Sequence, residues 1–480
     1  MIIQNDWKKL RDRILTRLRP CPEEALEIKR FYTKTISELS KSLEEAGISA
    51  KVEIHGSVAR GTWLSGDKDI DFFLILDSSL DKSYLYKALD VVKRYLGAGW
   101  IESYAEHPYI RAEREGFDVE FIPCFRAYPR KRIISSTDRT PLHTQFVNDN
   151  LNEELRDEVR LLKQFMRGVG VYGAEVKIGG FSGYLCELLI IKFKSFESVL
   201  EAASNWKRSE LIKVLEDSNL NGQVKQFKDP LIVSDPVDSK RNVASAVSDK
   251  SMWTFVAAAR SFLKKPLEKY FYPEEAEAAP SSILELLRNH GSKYIFIYIN
   301  DDSIPVPDIL WGQLYKAERA ISKFLKVRDF PVIRSASWSD EASQHILLFE
   351  LAYDPIPQTV LSMGPPVEMA ESSERFLKTH LHSDKIAAGP WIEGGRWWIL
   401  LKRKEIEAQT VLEEGFKRGA ERLGVPKRLS RLMSLRSKML TDGGIEDYLK
   451  GDFKKFLYQF LKGRPNWLDG FHTSGTYSKK

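Results

Sequence analysis

The segment HGSVARGTWLSGDKDIDFFLIL, residues 55–76, constrains the fold of this chain most strongly. A strand-like run leads into Gly56 and Ser57. After eleven intervening residues, another run begins with Asp69 and Asp71. Because side chains alternate along a strand, these two carboxylates share one face, while the apolar residues between and after them point into a core. Two such carboxylates repel each other unless a cation lies between them, and hard oxygen ligands suit Mg²⁺.

The Gly-Ser turn and a later strand extend this site. Backbone N–H groups freed at Gly56 and Ser57 are typical phosphate ligands, and Arg60, one helical turn along, could bind the same anion. In FDVEFIPC, Asp118 and Glu120 again alternate with apolar residues. Two strands that offer carboxylates on one face can form a two-metal site, in which one metal activates a hydroxyl and the other steadies leaving pyrophosphate.

The rest of the chain follows three patterns. Two helices and then short strands predict an α/β domain over residues 1–150. Residues 151–266 are mainly helical, with an apolar stripe at Leu155, Val159, Leu162 and Met166. Residues 267–480 interleave strands and helices, which favours one or two small α+β domains. The proline-rich stretch 354–366 is predicted to be a loop.

Charge and composition indicate which partners and which cell compartment to expect. The net charge of the 480 residues is +6. Residues 401–480 hold 18 Lys and Arg against 10 Asp and Glu, a local net charge of +8. This basic end indicates a surface that binds nucleic acid or an acidic partner, with a solubilising tail as the alternative. No apolar run is long enough to cross a membrane, the N-terminus is too charged for a secretory signal, and three scattered cysteines suit a cytoplasmic protein.

Several longer sequence motifs are more specific than the carboxylate spacing alone. HGSVARGTWLSGDKDID, YAEHPYI, IPCF, DRTPLH, EVRLLKQFMRGVGVYGAE, GGFSGYLCELLI and DPVDSKRNVA occur in this order between residues 52 and 244. Together they resemble the archaeal, class I CCA-adding enzymes, which are tRNA nucleotidyltransferases of the DNA polymerase β-type superfamily. The resemblance implies a polymerase β-like catalytic head, a helical neck and mixed α+β C-terminal RNA-binding domains.

The resemblance also implies an activity and roles for individual residues. The chain would add C, C and A to the 3′ end of tRNA from CTP and ATP with Mg²⁺, as a homodimer. The metal ligands would be Asp69, Asp71 and Glu120, although the family usually has Asp at the third position. The implied nucleotide-binding residues are Gly56, Ser57, Arg60, Thr140, His143, Lys163, Tyr172 and Arg241. Arg241 would reach toward the incoming base or the tRNA phosphates.

Two alternatives remain at this point. A poly(A)- or oligoadenylate-type polymerase would use the same head with ATP alone. A catalytically inactive RNA-binding protein would be expected to have lost one of the acidic positions, yet all three are acidic here. The glycines of 168–173 match a dinucleotide-binding spacing, but they follow a predicted helix rather than a strand, which excludes that function.

Overall fold

The computed structural model describes residues 2–104, 107–127, 137–215, 228–274, 278–303, 306–442 and 444–468. The chain forms two compact units, one of Met1–Glu275 with Pro465–Lys480 and the other of Ala276–Arg464. Within the described part of the chain, none of the helices combines the length and the apolar character needed to span a bilayer. Part of the motif YAEHPYI, residues 105–106, lies outside the described residues, as do residues 469–480 of the basic end.

The first unit begins with the predicted helical pair and a mixed sheet. Its elements in order are α1 (Ile2–Leu18), α2 (Pro22–Glu45), β1 (Ala50–His55), α3 (Gly56–Arg60), β2 (Asp69–Leu76), α4 (Ser83–Leu96), β3 (Trp100–Tyr104), β4 (Pro108–Arg114) and β5 (Phe117–Phe125). The strand order is β1-β2-β5-β4-β3, and only β2 and β5 of the adjacent pairs are parallel. Alternating apolar residues of β2 and β5 pack with α2 and α4 in one core. The opposite face carries acidic side chains at the start of both strands and a small apolar cluster of Phe73, Ile75, Ile122 and Cys124 further along.

A helical region completes this unit. Its described elements are α5 (Thr140–Asn150), α6 (Glu153–Gly168), α7 (Gly183–Phe193), α8 (Phe196–Ala203), β6 (Glu210–Ile212), β7 (Leu231–Val233) and α9 (Asp249–Lys264). The stripe predicted on α6 is confirmed, since Val159, Leu162 and Met166 are fully buried. Asn152 caps this helix by accepting a hydrogen bond from the Leu155 amide at 2.9 Å. The two short parallel strands β6 and β7 were not anticipated.

The second unit is an α+β structure. Its described elements are α10 (Pro280–Asn289), β8 (Lys293–Asn300), α11 (Pro307–Val327), β9 (Val332–Ser339), β10 (Gln344–Leu351), β11 (Thr359–Pro366), α12 (Ala370–His380), β12 (Ile386–Glu393), β13 (Arg396–Lys402), α13 (Ala408–Lys417), α14 (Lys427–Arg436), β14 (Ser437–Thr441) and α15 (Gly451–Lys462). One sheet has the order β14-β8-β10-β9, and the other has β11-β13-β12.

Two parts of this unit differ from the expectations. The stretch predicted as a loop contains the edge strand β11, whose two final prolines stand where its pairing with β13 shifts register. An edge strand tolerates proline because one side of its backbone has no strand partner. The basic end is also more than an appended tail, because β14 joins the larger sheet and Leu457 and Leu461 of α15 are buried in its core.

Candidate functional site

Four carboxylates lie on one face of the two parallel strands. In the register of β2 and β5, Asp71 is paired with Glu120, and Asp69 is paired with Asp118. The residues that alternate with them are buried, so the four acidic side chains point to the opposite face. We call this set the carboxylate edge. The register places Glu120, rather than Asp118, beside Asp71.

The electrostatics of the carboxylate edge favour a bound cation. Burial and the neighbouring Glu120 raise the pKa of Asp71 to about 7. Burial, together with Asp67 and Asp118, raises the pKa of Asp69. The pKa of Glu120 is also raised, by burial and by Asp69, against the opposing effect of Arg111. Ionisation of Asp69, Asp71 or Glu120 therefore carries an energetic cost that a divalent cation would relieve.

A basic residue from the next strand partners Glu120. Arg111 stands opposite Glu120 in the antiparallel pair β4–β5, and its Nε lies 2.9 Å from Glu120 Oε1. Within the described ranges, no three acidic, histidine or cysteine side chains converge closely enough to enclose a metal ion. The donor set nevertheless fits Mg²⁺, which binds proteins through one or two carboxylates together with substrate phosphates. Asp71 and Asp69 supply such carboxylates, and Glu120 could join them by leaving Arg111.

The Gly-Ser turn presses directly against this edge. Gly56 follows β1 with a φ of +69°, a conformation that favours glycine. A Cβ atom at Gly56 would overlap the carboxylate of Asp71. Ser57, the next residue, is half-buried on α3. The glycine is therefore required both by its backbone conformation and by the contact that brings the turn to Asp71.

Arg60 and Lys163, predicted to bind phosphates, are held by a carboxylate that the sequence analysis missed. Glu187 on α7 is fully buried, and its Oε2 accepts a hydrogen bond from Arg60 Nη1 at 2.6 Å. Lys163 Nζ lies 3.9 Å from Glu187 Oε1 and donates to the Thr62 carbonyl oxygen at 2.9 Å. Thr62 also donates its hydroxyl to Glu187. We call Arg60, Thr62, Lys163 and Glu187 the Glu187 cluster.

Further basic residues of α6 hold the segment that joins the turn to β2. Arg160 donates to the carbonyl oxygens of Gly61 at 2.6 Å and Trp63 at 3.1 Å. Arg167 forms two hydrogen bonds of 3.0 Å with Asp67. With Lys163, these residues form a basic face on α6 that fixes residues 61–67. Arg60 adds a bond inside the turn, because its Nε donates to the Gly56 carbonyl oxygen at 2.8 Å.

His143 and Arg241 meet at a second buried acid that the sequence analysis also missed. Asp235 Oδ2 lies 3.0 Å from His143 Nε2 and 2.9 Å from Arg241 Nη1. Tyr184 donates its hydroxyl to Asp235 at 3.3 Å and stacks on the His143 ring with a centroid distance of 4.1 Å. We call these four residues the Asp235 cluster. Although burial alone would raise the pKa of Asp235, the bonds from His143, the Val237 amide and Arg241 lower it to about 2.

The remaining predicted residues lie near the start of helices or beside α7. Thr140 is half-buried and begins α5. The hydroxyl of Tyr172 lies 3.1 Å from where a Cβ of Gly183 would stand, and Lys163 Nζ is 3.6 Å from the same point. The Arg60 guanidinium lies 5.8 Å from the centre of the Tyr184 ring. The first turns of α7 therefore bring together side chains from both clusters and from Tyr172.

The sequence matches three known domain families in order along the chain. Residues 36–143 match the nucleotidyltransferase domain, residues 157–272 match the second domain of tRNA nucleotidyltransferases, and residues 290–433 match the C-terminal domain of CCA-adding enzymes.

Curated relatives are similar over most of the chain. The CCA-adding enzyme of Methanothermobacter thermautotrophicus is 36% identical over 406 residues, which cover 84% of this chain and 87% of that protein. The CCA-adding enzyme of Pyrobaculum neutrophilum is 37% identical over 386 residues, 80% of this chain and 88% of that protein. That of Methanosarcina acetivorans is 33% identical over 455 residues, 93% of this chain and 97% of that protein.

Proposed function

The chain belongs to the CCA-adding enzyme family, and we propose that it completes the 3′-terminal CCA of tRNA from CTP and ATP. The observation that carries nucleotidyl transfer is the carboxylate edge, with Asp71 and Glu120 in register beside the Gly56 turn. The match of residues 290–433 to the C-terminal domain of CCA-adding enzymes favours CCA as the product. In the proposed reaction, the 3′-hydroxyl of the tRNA attacks the α-phosphate of the nucleotide in line. Pyrophosphate is then the leaving group, and no nucleic-acid template is used.

Asp69, Asp71 and Glu120 are proposed to hold Mg²⁺. When bound there, the metal would supply positive charge that lowers the pKa of the attacking hydroxyl and stabilises the leaving pyrophosphate. The chain itself supplies the positions: β2 and β5 fix the carboxylates in register, and the Gly56 turn fixes the orientation of Asp71. The raised pKa values of Asp69 and Asp71 support this assignment, because ionising these carboxylates is unfavourable without a nearby cation.

The nucleotide is proposed to lie between the turn and α7. Ser57 and the turn amides would bind phosphate, while Arg60 and Lys163 would act on the same phosphates from beneath the turn. Thr140, His143, Tyr172 and Arg241 would complete the pocket, as the sequence resemblance implies. A homodimer, a cytoplasmic location and domain boundaries near residues 150 and 266 stay predictions.

The product on a defined tRNA tests the proposed activity. A tRNA that lacks CCA, supplied with CTP, ATP and Mg²⁺, should gain three nucleotides and then no more. A tRNA ending in CC, supplied with ATP alone, should gain one. Long heterogeneous A tails would instead support a poly(A)-type polymerase, and binding without any addition would indicate an inactive RNA-binding protein.

The basic end of the chain is proposed to bind the phosphate backbone of the tRNA. Lys427 and Arg431 are exposed on α14, and no ion pair is recorded for either within the described residues. Because truncation after residue 424 would remove β14 from its sheet, substitution is the sounder test. Changing both residues to glutamine should lower the salt slope of tRNA binding by about two, one per phosphate contact. Lys8 and Lys9, exposed on α1, provide the matched control. An unchanged slope would mean that this part of the basic end does not contact RNA.

A further inference from the structure

We infer that Glu187 is a positioning residue for nucleotide binding: it holds Arg60, Thr62 and Lys163 beneath the Gly-Ser turn and so fixes the surface that receives the triphosphate. The inference rests on the proposed function for the location of the nucleotide. It goes beyond that function because the resemblance to CCA-adding enzymes assigned no role to this glutamate.

The contacts place Glu187 at the centre of a closed network. Its two carboxylate oxygens face different partners, since Oε2 accepts from Arg60 at 2.6 Å while Oε1 faces Thr62 and Lys163. The residue itself is 0% exposed, and the side chains of Arg60 and Lys163 are 11% and 3% exposed. A carboxylate enclosed in this way cannot touch the substrate, so it can act only through the groups it holds.

Those groups lead directly to the turn. Arg60 lies at the end of α3 and donates to the carbonyl oxygen of Gly56 at its start. Thr62 follows α3, and its amide donates to the Ser57 carbonyl oxygen at 3.0 Å. Glu187 is therefore linked through Arg60 to Gly56 and through Thr62 to Ser57. Both residues of the proposed phosphate-binding turn depend on one buried carboxylate.

The charge balance gives this network a second consequence. Two cations and one carboxylate leave a positive excess next to the turn. Replacing the carboxylate by an amide leaves buried cations without their partner, which disrupts the geometry because an uncompensated buried charge is strongly unfavourable. Arg60 and Lys163 would then move toward other acceptors or solvent, and the turn would lose its support.

A buried glutamate elsewhere in the same unit separates positioning from general stability. Glu158 on α6 pairs with Arg11, and its Oε2 accepts from the Phe196 amide at 2.7 Å. Like Glu187, it is buried and paired with an arginine, but its bonds to Arg11 and to the Phe196 amide do not reach the turn. Glu158→Gln should therefore lower the melting temperature without changing nucleotide binding.

The experiment compares Glu187→Gln, Glu187→Asp and Glu158→Gln in the full chain. We expect Glu187→Gln to raise KM for CTP and for ATP by a similar factor, about tenfold or more, with the dissociation constant for tRNA within about twofold of wild type. Glu187→Asp keeps the charge and should restore part of the loss. Thr62→Val preserves shape and removes the two hydrogen bonds of the hydroxyl, the one it donates to Glu187 and the one it accepts from Lys163 Nζ at 3.1 Å. It should raise both KM values by a smaller factor, and it serves as the test if Glu187→Gln does not fold.

Two results would overturn the inference. One is unchanged KM values in a folded Glu187 variant. The other is an equal rise in KM for Glu158→Gln and Glu187→Gln, measured at a temperature where both are folded. Direct titration with CTP and Mg²⁺ keeps this test separate from the proposed function: wild type that binds CTP but adds no CCA would refute the activity, while weaker CTP binding by Glu187→Gln would still support the positioning role.

Discussion

The carboxylate edge and the Asp235 cluster use the same residue type in opposite ways. Asp71, on the edge, has its pKa raised to about 7 by burial and by Glu120. Asp235 is also buried, yet His143, the Val237 amide and Arg241 lower its pKa to about 2. The difference comes from the partners, because burial acts on both in the same direction. Hydrogen bonds and basic partners like those of Asp235 would stabilise the fold at Asp71, so their absence there, in the part of the chain that the structure describes, indicates a role other than stability.

This contrast shows where the fold contributes to function. The Asp235 and Glu187 clusters both pair a buried carboxylate with basic side chains: the Glu187 cluster joins α6 and α7 to the turn, and the Asp235 cluster joins α5 to α7. The carboxylate edge leaves its acids close together with few cationic partners, which suits a site that receives a metal ion and a polyphosphate. If this contrast holds, the two kinds of acid should respond to substitution in opposite ways.

The largest expected effect is the loss of activity at the carboxylate edge. Glu120→Gln should lower kcat by about 10³-fold or more, because a metal ligand contributes several kcal/mol to the transition state. Binding of tRNA should be unaffected. Asp118→Asn is the matched control, since Asp118 is exposed and pairs with Asp69 rather than Asp71. An inactive Asp118→Asn beside a normal Glu120→Gln, measured at saturating Mg²⁺, would move the third ligand to Asp118.

The next effect concerns the contact between the turn and Asp71. Gly56→Ala should lower kcat by about 10²-fold, because its Cβ would displace the carboxylate and a misplaced catalytic group is costly. Gly66→Ala is the control: Gly66 also has a positive φ, of +87°, but a Cβ there meets no atom within 4 Å. It should cost about 1 kcal/mol of stability and leave turnover near normal. Equal losses in both variants would attribute the effect to backbone strain alone.

The carboxylate edge could be predicted from sequence because its information is local. Alternation around Asp69 and Asp71 fixes which way the carboxylates face, and the resemblance to CCA-adding enzymes implied Glu120 as the third ligand. The structure pairs Asp71 with Glu120 across the two parallel strands. The roles of these residues stay predictions, as do those of the nucleotide-binding residues.

The two buried clusters could not be predicted because their partners are far apart in sequence. Arg60 and Glu187 are separated by 127 residues, and His143 and Asp235 by 92. Periodicity within a segment cannot indicate which distant acid a basic residue will meet. One signal was present: Glu187 is the only charged residue within GYLCELLII, and an acid in such an apolar helix requires a buried partner. Lys163 gave a matching signal, since a lysine that borders the apolar stripe of α6 requires an anionic partner.

Replacing the two aspartates should change the free energy of unfolding in opposite directions. In EDTA at pH 7.5, Asp71→Asn should raise the free energy of unfolding by about 1–3 kcal/mol, because it removes a charge that the fold disfavours. Asp235→Asn should lower it by about 3 kcal/mol, because it leaves Arg241 without its buried partner. Mg²⁺ should stabilise wild type more than Asp71→Asn, since ligand binding to the native state adds stability. Urea unfolding measures all three, and destabilisation by both substitutions would remove the proposed contrast.

The smallest expected effect is the loss, at acid pH, of the stability that the Asp235 carboxylate contributes to the fold. The folded pKa of Asp235 is about 2, below its ordinary value of 3.8, so the native state favours the ionised carboxyl. Its contribution to the free energy of unfolding is therefore fully present above about pH 4 and is lost as the pH falls toward 2. The gap in unfolding free energy between wild type and Asp235→Asn should accordingly narrow by about 2 kcal/mol between pH 4 and pH 2. Burial lowers the pKa of the neighbouring His143, which shifts protonation of that imidazole toward more acid pH. Urea unfolding at half-unit pH steps would measure the gap. A gap that stays constant down to pH 2 would mean that Asp235 acts by its shape and hydrogen bonds, and that its charge adds nothing to the stability of the cluster.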